Sequence, residues 1–211
     1  MGPVDFLLFG LEPPTNIARR VRQAQESLYA AWGLVSPLAL PPLVPLRFAR
    51  PEAPPTAEAL RGMERGLAAA LRAPRAPRGP RCRTAGCTLR EGVLFWEVDG
   101  ELAALQALAG TVSPWPVPPD PPLPAAQGFF LALPEGEVDL ARAGSSLQLP
   151  PPAAFTALAL VLLSVKRLRP EPIPPSAEVP PSAPWFRALE WEELLRLPLR
   201  KHRPQVQQDS G

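Results

Sequence analysis

The sequence predicts an α+β protein of two related lobes, and three observations predict it. Short apolar runs rich in β-forming residues alternate with segments whose apolar residues recur at helical spacing. The order strand, helix, strand occurs twice, ending first at Leu43 to Phe48 and then at Phe129 to Leu133. The 33 prolines cluster between these segments instead of replacing them, which argues for loops and against disorder. At 211 residues the chain can bury a sizeable core as one domain or as two small packed lobes.

Val4 to Leu11 is a short apolar run ended by Pro13-Pro14 and reads as a buried strand. Thr15 or Asn16 can cap the helix that follows, in which Ile17, Val21, Ala24, Leu28 and Ala31 share a face and Gly33 is the stop. Leu34 to Phe48 reads as two strands broken near Pro41-Pro42. In the second, alternation puts Leu43, Pro45 and Arg47 on one face, lining any cleft the sheet makes, and Val44, Leu46 and Phe48 on a core face.

Thr56 can cap a second helix with Leu60, Met63, Leu67 and Leu71 inward. From Arg72 to Arg90 the chain carries Arg72, Arg75, Arg78, Arg81, Arg83 and Arg90 without an acidic residue, interleaved with Pro74, Pro77 and Pro80. This reads as a solvated basic linker leading into a strand, or alternatively as a contact to RNA phosphates. Gly92 to Val98 is rich in β-formers and reads as a central strand ending at Asp99-Gly100. A third helix follows, with Leu102, Leu105 and Leu108 inward and Gly110 as its stop. Trp115 lies in a proline-dense loop from Ser113 to Pro124, where it is expected to cap the core edge, the alternative being an exposed aromatic contact. Gln127 to Leu133 is another apolar strand, closed by Pro134. Glu137 to Gly144 forms a short helix, Phe155 to Val165 a long strand, Pro170 to Pro184 a loop, and Trp185 to Leu199 a final strand and turn or a short helix. Residues 200–211 are a polar tail.

Composition excludes several classes. The longest apolar run, Ala157 to Val165, is too short to span a bilayer. No basic region precedes Phe6-Leu7-Leu8-Phe9, so a signal peptide is not expected and the protein is placed in the cytoplasm. A net charge of +2 is too small to argue for nucleic acid, although most cations are arginine, suited to planar contacts with phosphate. Arginine over lysine and abundant proline fit a high-temperature or GC-rich source. Cys82 and Cys87 match no zinc spacing, and the single histidine, His202, lies in the tail, so neither a metal nor a cofactor is expected. A disulfide across a turn at Ala85-Gly86 is conceivable, with two free thiols the default in a reducing compartment.

These pieces, in this order, resemble the 2H phosphoesterase superfamily, in its branch of bacterial 2′-5′ RNA ligases and RNA 2′,3′-cyclic phosphodiesterases. Phe6 to Pro14 is similar to that family's opening strand, Gly92 to Val98 with Glu101 to Leu105 to its middle strand and helix, and Phe155 to Arg169 and Trp185 to Leu199 to its closing strands. The resemblance implies a single domain over residues 1–199, with two pseudo-symmetric lobes of antiparallel sheet, outer helices and a central cleft. It also implies a His-x-Thr or His-x-Ser motif on each lobe, whose histidines act as base and acid on a phosphodiester.

Here the first motif falls on Leu43-Val44-Pro45 and the second within Gly128 to Leu133, with Phe129, Phe130 and Leu131 as its central positions. Neither supplies a histidine or a hydroxyl. Positioned acid–base groups contribute about 10²–10⁴-fold each, so no catalytic residue of the family remains and the family's mechanism is not expected. The expectation is a scaffold or protein-binding module whose partner meets an apolar cleft. The alternative is an RNA-end or nucleotide binder using Arg47, Arg78 and Arg81. An enzyme with relocated chemistry, drawing on carboxylates such as Glu97 and Asp99, comes last.

Overall fold

The computed structural model describes residues 6–73, 79–119, 128–167 and 189–200. Its elements are β1 (Phe6–Glu12), α1 (Thr15–Trp32), a 3-10 turn (Ser36–Leu38), β2 (Val44–Ala49), α2 (Ala57–Arg72), β3 (Arg81–Arg90), β4 (Val93–Gly100), α3 (Ala103–Val112), β5 (Gly128–Ala132), α4 (Leu140–Ser146), β6 (Ala154–Thr156), β7 (Ala159–Arg167) and β8 (Leu189–Pro198). They build two four-stranded sheets, β2-β1-β7-β8 and β5-β4-β3-β6. Every pairing is antiparallel. The repeated order seen in the sequence is real in space. β1-α1-β2 and β4-α3-β5 each lay their two strands side by side.

Helix ends follow local chemistry. Gly33 adopts φ +69° and its N–H donates to the Tyr29 carbonyl at 2.9 Å, closing α1 in the left-handed conformation that glycine takes without strain. Thr56 caps α2, its hydroxyl accepting from the Ala59 N–H at 3.2 Å, and Met63, Leu67 and Leu71 are buried as their spacing requires. Three boundaries differ from expectation. Pro14 stands at the start of α1, with no side-chain cap from Thr15 or Asn16. α3 runs through Gly110 to Val112. Asp139 accepts from the Ala141 and Arg142 N–H groups and so begins α4 after Glu137 and Val138.

Larger differences come from the chain changing sheets. Phe155 to Val165 is two strands, not one: β6 joins the second sheet and β7 the first, with Ala157 and Leu158 crossing between them. Ala157 N–H donates to Pro80 O and Leu158 N–H to Glu12 O at 2.8 Å, so each half of the crossing is tied to a different sheet. Leu34 to Leu43 contains the 3-10 turn in place of a strand, because Pro37 cannot donate to a ladder. The basic linker is strand from Arg81 onward. β3 turns into β4 through Glu91 and Gly92, both at positive φ, which suits a tight hairpin. From Leu189 the last segment is strand, not helix. The expected loop at 170–184, the polar tail from 201 and the part of the Trp115 loop beyond 119 lie outside the described residues.

Two apolar clusters divide the interior. The larger takes the buried faces of α1, α2, α3 and α4 together with Leu7, Phe9, Leu11, Leu94, Trp96 and Val98, and Trp115 packs at its edge. The smaller receives nothing from those four helices. It is made of the opposite, inner faces of both sheets and includes Phe6, Leu8, Leu43, Phe48, Phe95, Phe130 and Val161. Among the described residues no helix is long and apolar enough to cross a membrane.

Candidate functional site

The inner faces of the sheets are where a cleft was expected, and β2 and β5 occupy corresponding places in them. Each carries one bulge. In β2, Pro45 lies opposite Gly10 and Arg47 opposite Phe9, leaving Leu46 unpaired. In β5, Phe130 lies opposite Phe95 and Ala132 opposite Leu94, leaving Leu131 unpaired. Aligning the bulges aligns Leu43 with Gly128 and Pro45 with Phe130, a register that the uniformly apolar window in the sequence does not reveal. A bulge inserts one residue and shifts the alternation of faces. Phe130 therefore belongs to the inner cluster, while Phe129, Leu131, Val44 and Leu46 belong to the helix side.

The same shift relocates two residues. Arg47 stands opposite Phe9 on the helix side, away from Leu43, and Phe48 crosses to the inner cluster. The Arg47 guanidinium lies against α3, where a Cβ added to Gly110 would sit 3.1 Å from Nη1. Its Nε is buried and has no hydrogen-bond partner. Simple alternation put Arg47 beside Leu43 and Phe48 away from it; the bulge at Leu46 reverses both.

Around Leu43 and Phe130 the inner face is closed. Leu43, Phe95 and Phe130 are 8%, 1% and 3% exposed, and Leu163 and Val165 are equally buried. Leu43 occupies the space that Gly10 leaves open, with a Cβ at residue 10 falling 3.2 Å from Leu43 Cδ1. At Gly128 the obstacle is backbone. A Cβ there would lie 2.7 Å from Trp96 O and 3.2 Å from Glu97 Cα, so this position excludes any side chain unless β5 moves off β4. The edge rings meet edge to face, Phe6 with Phe48 and Phe95 with Phe130, at centroid distances of 5.6 and 6.5 Å.

Buried polar side chains stitch the β5 edge to the first lobe. Gln25 on α1 donates through Nε2 to Phe130 O at 3.0 Å. Ser36 Oγ accepts from the Leu133 N–H at 2.9 Å. The Glu135 carboxylate accepts from the Val35 N–H at 3.0 Å and the Ser36 N–H at 2.6 Å, holding the start of the 3-10 turn. An edge strand exposes unpaired backbone groups, and here side chains satisfy them. None of Gln25, Ser36 or Glu135 was singled out from the sequence. A polar residue at a buried helix position, as Gln25 is beside Ala24 and Val21, was the one available signal.

Charged residues occupy the remaining inner positions. Cys82 faces the helix-side cluster, so Arg81 and Arg83 on either side of it point to the inner side, where both are exposed. Glu97 pairs with Arg90 at 2.6 Å, and the corresponding Glu12 pairs with Arg196 at 2.7 Å. Asp99 lies opposite Arg83. Glu97 and Glu12 sit in partly exposed ion pairs with arginine, not with a proton-transfer partner. Arg78 and His202 lie outside the described residues. Cys82 and Cys87 are free thiols on a continuous strand with a bulge at Ala85 and Gly86, not a turn, and burial pushes both up to about 11, with the Glu97 charge adding to the effect on Cys87. Among the described residues no three His, Cys, Asp or Glu side chains gather where they could hold a metal ion.

No family model and no curated protein matches the chain. Solved structures do. TT0787 of Thermus thermophilus is 16% identical, with 94% of this chain and 100% of that one covered at a TM-score of 0.54. LigT of E. coli complexed with phosphate is 13% identical over 95% of this chain and 100% of its own, at a TM-score of 0.46. The complex of LigT with 3′-AMP is 14% identical over the same shares, at 0.47. The likeness to TT0787 shows that the two chains share a fold.

Proposed function

We propose that this chain is a catalytically silent relative of the 2′-5′ RNA ligase and RNA 2′,3′-cyclic phosphodiesterase branch of the 2H phosphoesterases, retained as a scaffold or protein-binding module. The order of its sequence elements and its two-lobed fold support the family. One observation carries the silence: the paired positions Leu43 with Pro45 and Gly128 with Phe130 offer no side chain that takes or gives a proton, and Gly128 has no room for one. Without a positioned base and acid the chemical step loses its two largest side-chain contributions. The apolar residues expected to meet a partner are buried, so the partner of this reading binds the outer surface and the inner cluster serves to hold the lobes together.

A second reading keeps RNA as ligand. Arg81 and Arg83, exposed on the inner side of the second sheet, favour it, and Arg47 does not contribute. The deciding experiment titrates labelled RNA ending in a 2′,3′-cyclic phosphate at low and high salt, then recovers the RNA and examines the ring. An intact ring with no binding is the outcome of the scaffold reading. Salt-sensitive binding with an intact ring selects the second reading, and ring opening overturns both.

A further inference from the structure

On the helix-covered side, remote from the inner faces, α1 and the segment after α4 enclose a groove of about 460 Å³. Its size lies in the range of small-molecule sites and is too small for a folded partner. Arg20, Gln23 and Ser27 line it from α1, and Ser146 and Gln148 from the other wall. Trp32 closes one end. Its indole N–H donates to Ser146 Oγ at 3.2 Å, and the Arg142 guanidinium stands 5.9 Å from its ring centroid.

The bonds already made define what is left for a ligand. Ser27 Oγ–H is given to Gln23 O at 2.8 Å and Ser146 Oγ–H to Ala143 O at 2.7 Å, so both hydroxyls present only lone pairs. The free donors are the Arg20 guanidinium and the carboxamides of Gln23 and Gln148. Among the described residues Arg20 is the only charged one in the lining, and no carboxylate shares it, so the groove selects an anion. Two carboxamides suit a planar group carrying a donor beside an acceptor, as an adenine edge does, and the Trp32 indole in the lining offers an aromatic surface beside them.

We propose that this groove binds an adenine nucleotide, its phosphate on Arg20 and its base edge on Gln23 and Gln148. The test uses the full chain and three probes, AMP, adenosine and ribose 5-phosphate, followed by calorimetry. AMP is expected to saturate one site and to bind at least about tenfold more tightly than either fragment, because a charge-assisted contact and the base contacts each contribute on that scale. Arg20→Gln should weaken AMP about tenfold while leaving adenosine unchanged, and Gln148→Ala should weaken AMP and adenosine together. Both side chains are outside the core, so the thermal transition should not move. No saturable AMP binding overturns the proposal. So do equal affinities for AMP and ribose 5-phosphate, which would leave an unselective anion site, and AMP binding indifferent to Arg20→Gln.

Discussion

Leu43 lies over Gly10, its Cδ1 and Cβ 3.2 and 3.3 Å from where a Cβ on residue 10 would be. One strand has given up a side chain and its neighbour fills the space. This packing lies on the inner face, between β1 and the start of β2. It makes the inner cluster a structural core whose energetics can be measured.

Leu43→Ala should cost about 2–5 kcal/mol, toward the lower end because the residue is at the cluster's rim. Gly10→Ala should destabilise by itself, since crowding against Leu43 outweighs the modest gain from replacing a strand glycine. In the Leu43→Ala background the Cδ1 contact is gone while the 3.3 Å approach to the retained Cβ remains, so the same change should destabilise less than it does alone. Chemical denaturation of the four proteins gives the cycle, and additive effects would show that the two sites are not coupled.

Gly128→Ala should destabilise by about 1–3 kcal/mol or more, because the atoms in the way are Trp96 and Glu97 backbone and cannot rotate aside. For the same reason Leu43→His combined with Gly128→His should yield no cyclic phosphodiesterase activity and a less cooperative melt. Ring opening by that double variant would mean that β5 yields more readily than this packing implies.

Ser36→Ala leaves the buried Leu133 N–H without its acceptor and should cost about 1–3 kcal/mol. Glu135→Gln replaces one of two accepting oxygens with a donor facing an N–H, and should cost a similar amount. Hydrogen exchange at Leu133 and Ser36 should accelerate in both variants if these bonds hold the β5 edge.

Arg47→Met should change stability by less than about 1 kcal/mol, since it removes an unpartnered buried Nε while keeping an apolar side chain of similar length. If RNA binds at all, Arg47→Ala should leave its affinity and salt slope alone, whereas Arg81→Ala or Arg83→Ala should each lower the slope by about one. A salt slope that falls with Arg47→Ala would place RNA on the helix side.

The thiols are expected to be inert. With Cys82 and Cys87 both raised to about 11 from the ordinary 9.0, neither is a thiolate near neutrality, and a disulfide reagent at pH 8 should label them only after unfolding. A raised folded value means the unfolded chain loses these protons first. Stability is therefore fully present below pH 9 and declines as pH rises toward 11. A double Cys→Ser variant should flatten that decline, although at lower overall stability.

Helix faces were legible because burial follows a period that sequence displays directly: Ile17, Val21, Ala24 and Leu28, or Met63, Leu67 and Leu71, are inward as their spacing requires. The repeated strand, helix, strand order was legible for the same reason, as were the absence of histidine at Leu43 and its neighbours and the stop at Gly33. Sheet membership was not. Phe155 to Val165 reads as one long strand, yet β6 and β7 belong to different sheets, because partner choice depends on hydrogen bonds to Pro80 and Glu12 that lie far away in sequence. The face of Arg47 and the alignment of Gly128 with Leu43 were decided by single-residue bulges at Leu46 and Leu131, and a bulge is a relation between two strands. The closure of the inner faces was decided by volume: whether apolar side chains from two sheets line a cleft or fill it depends on how closely those sheets approach, and only the tertiary structure sets that distance.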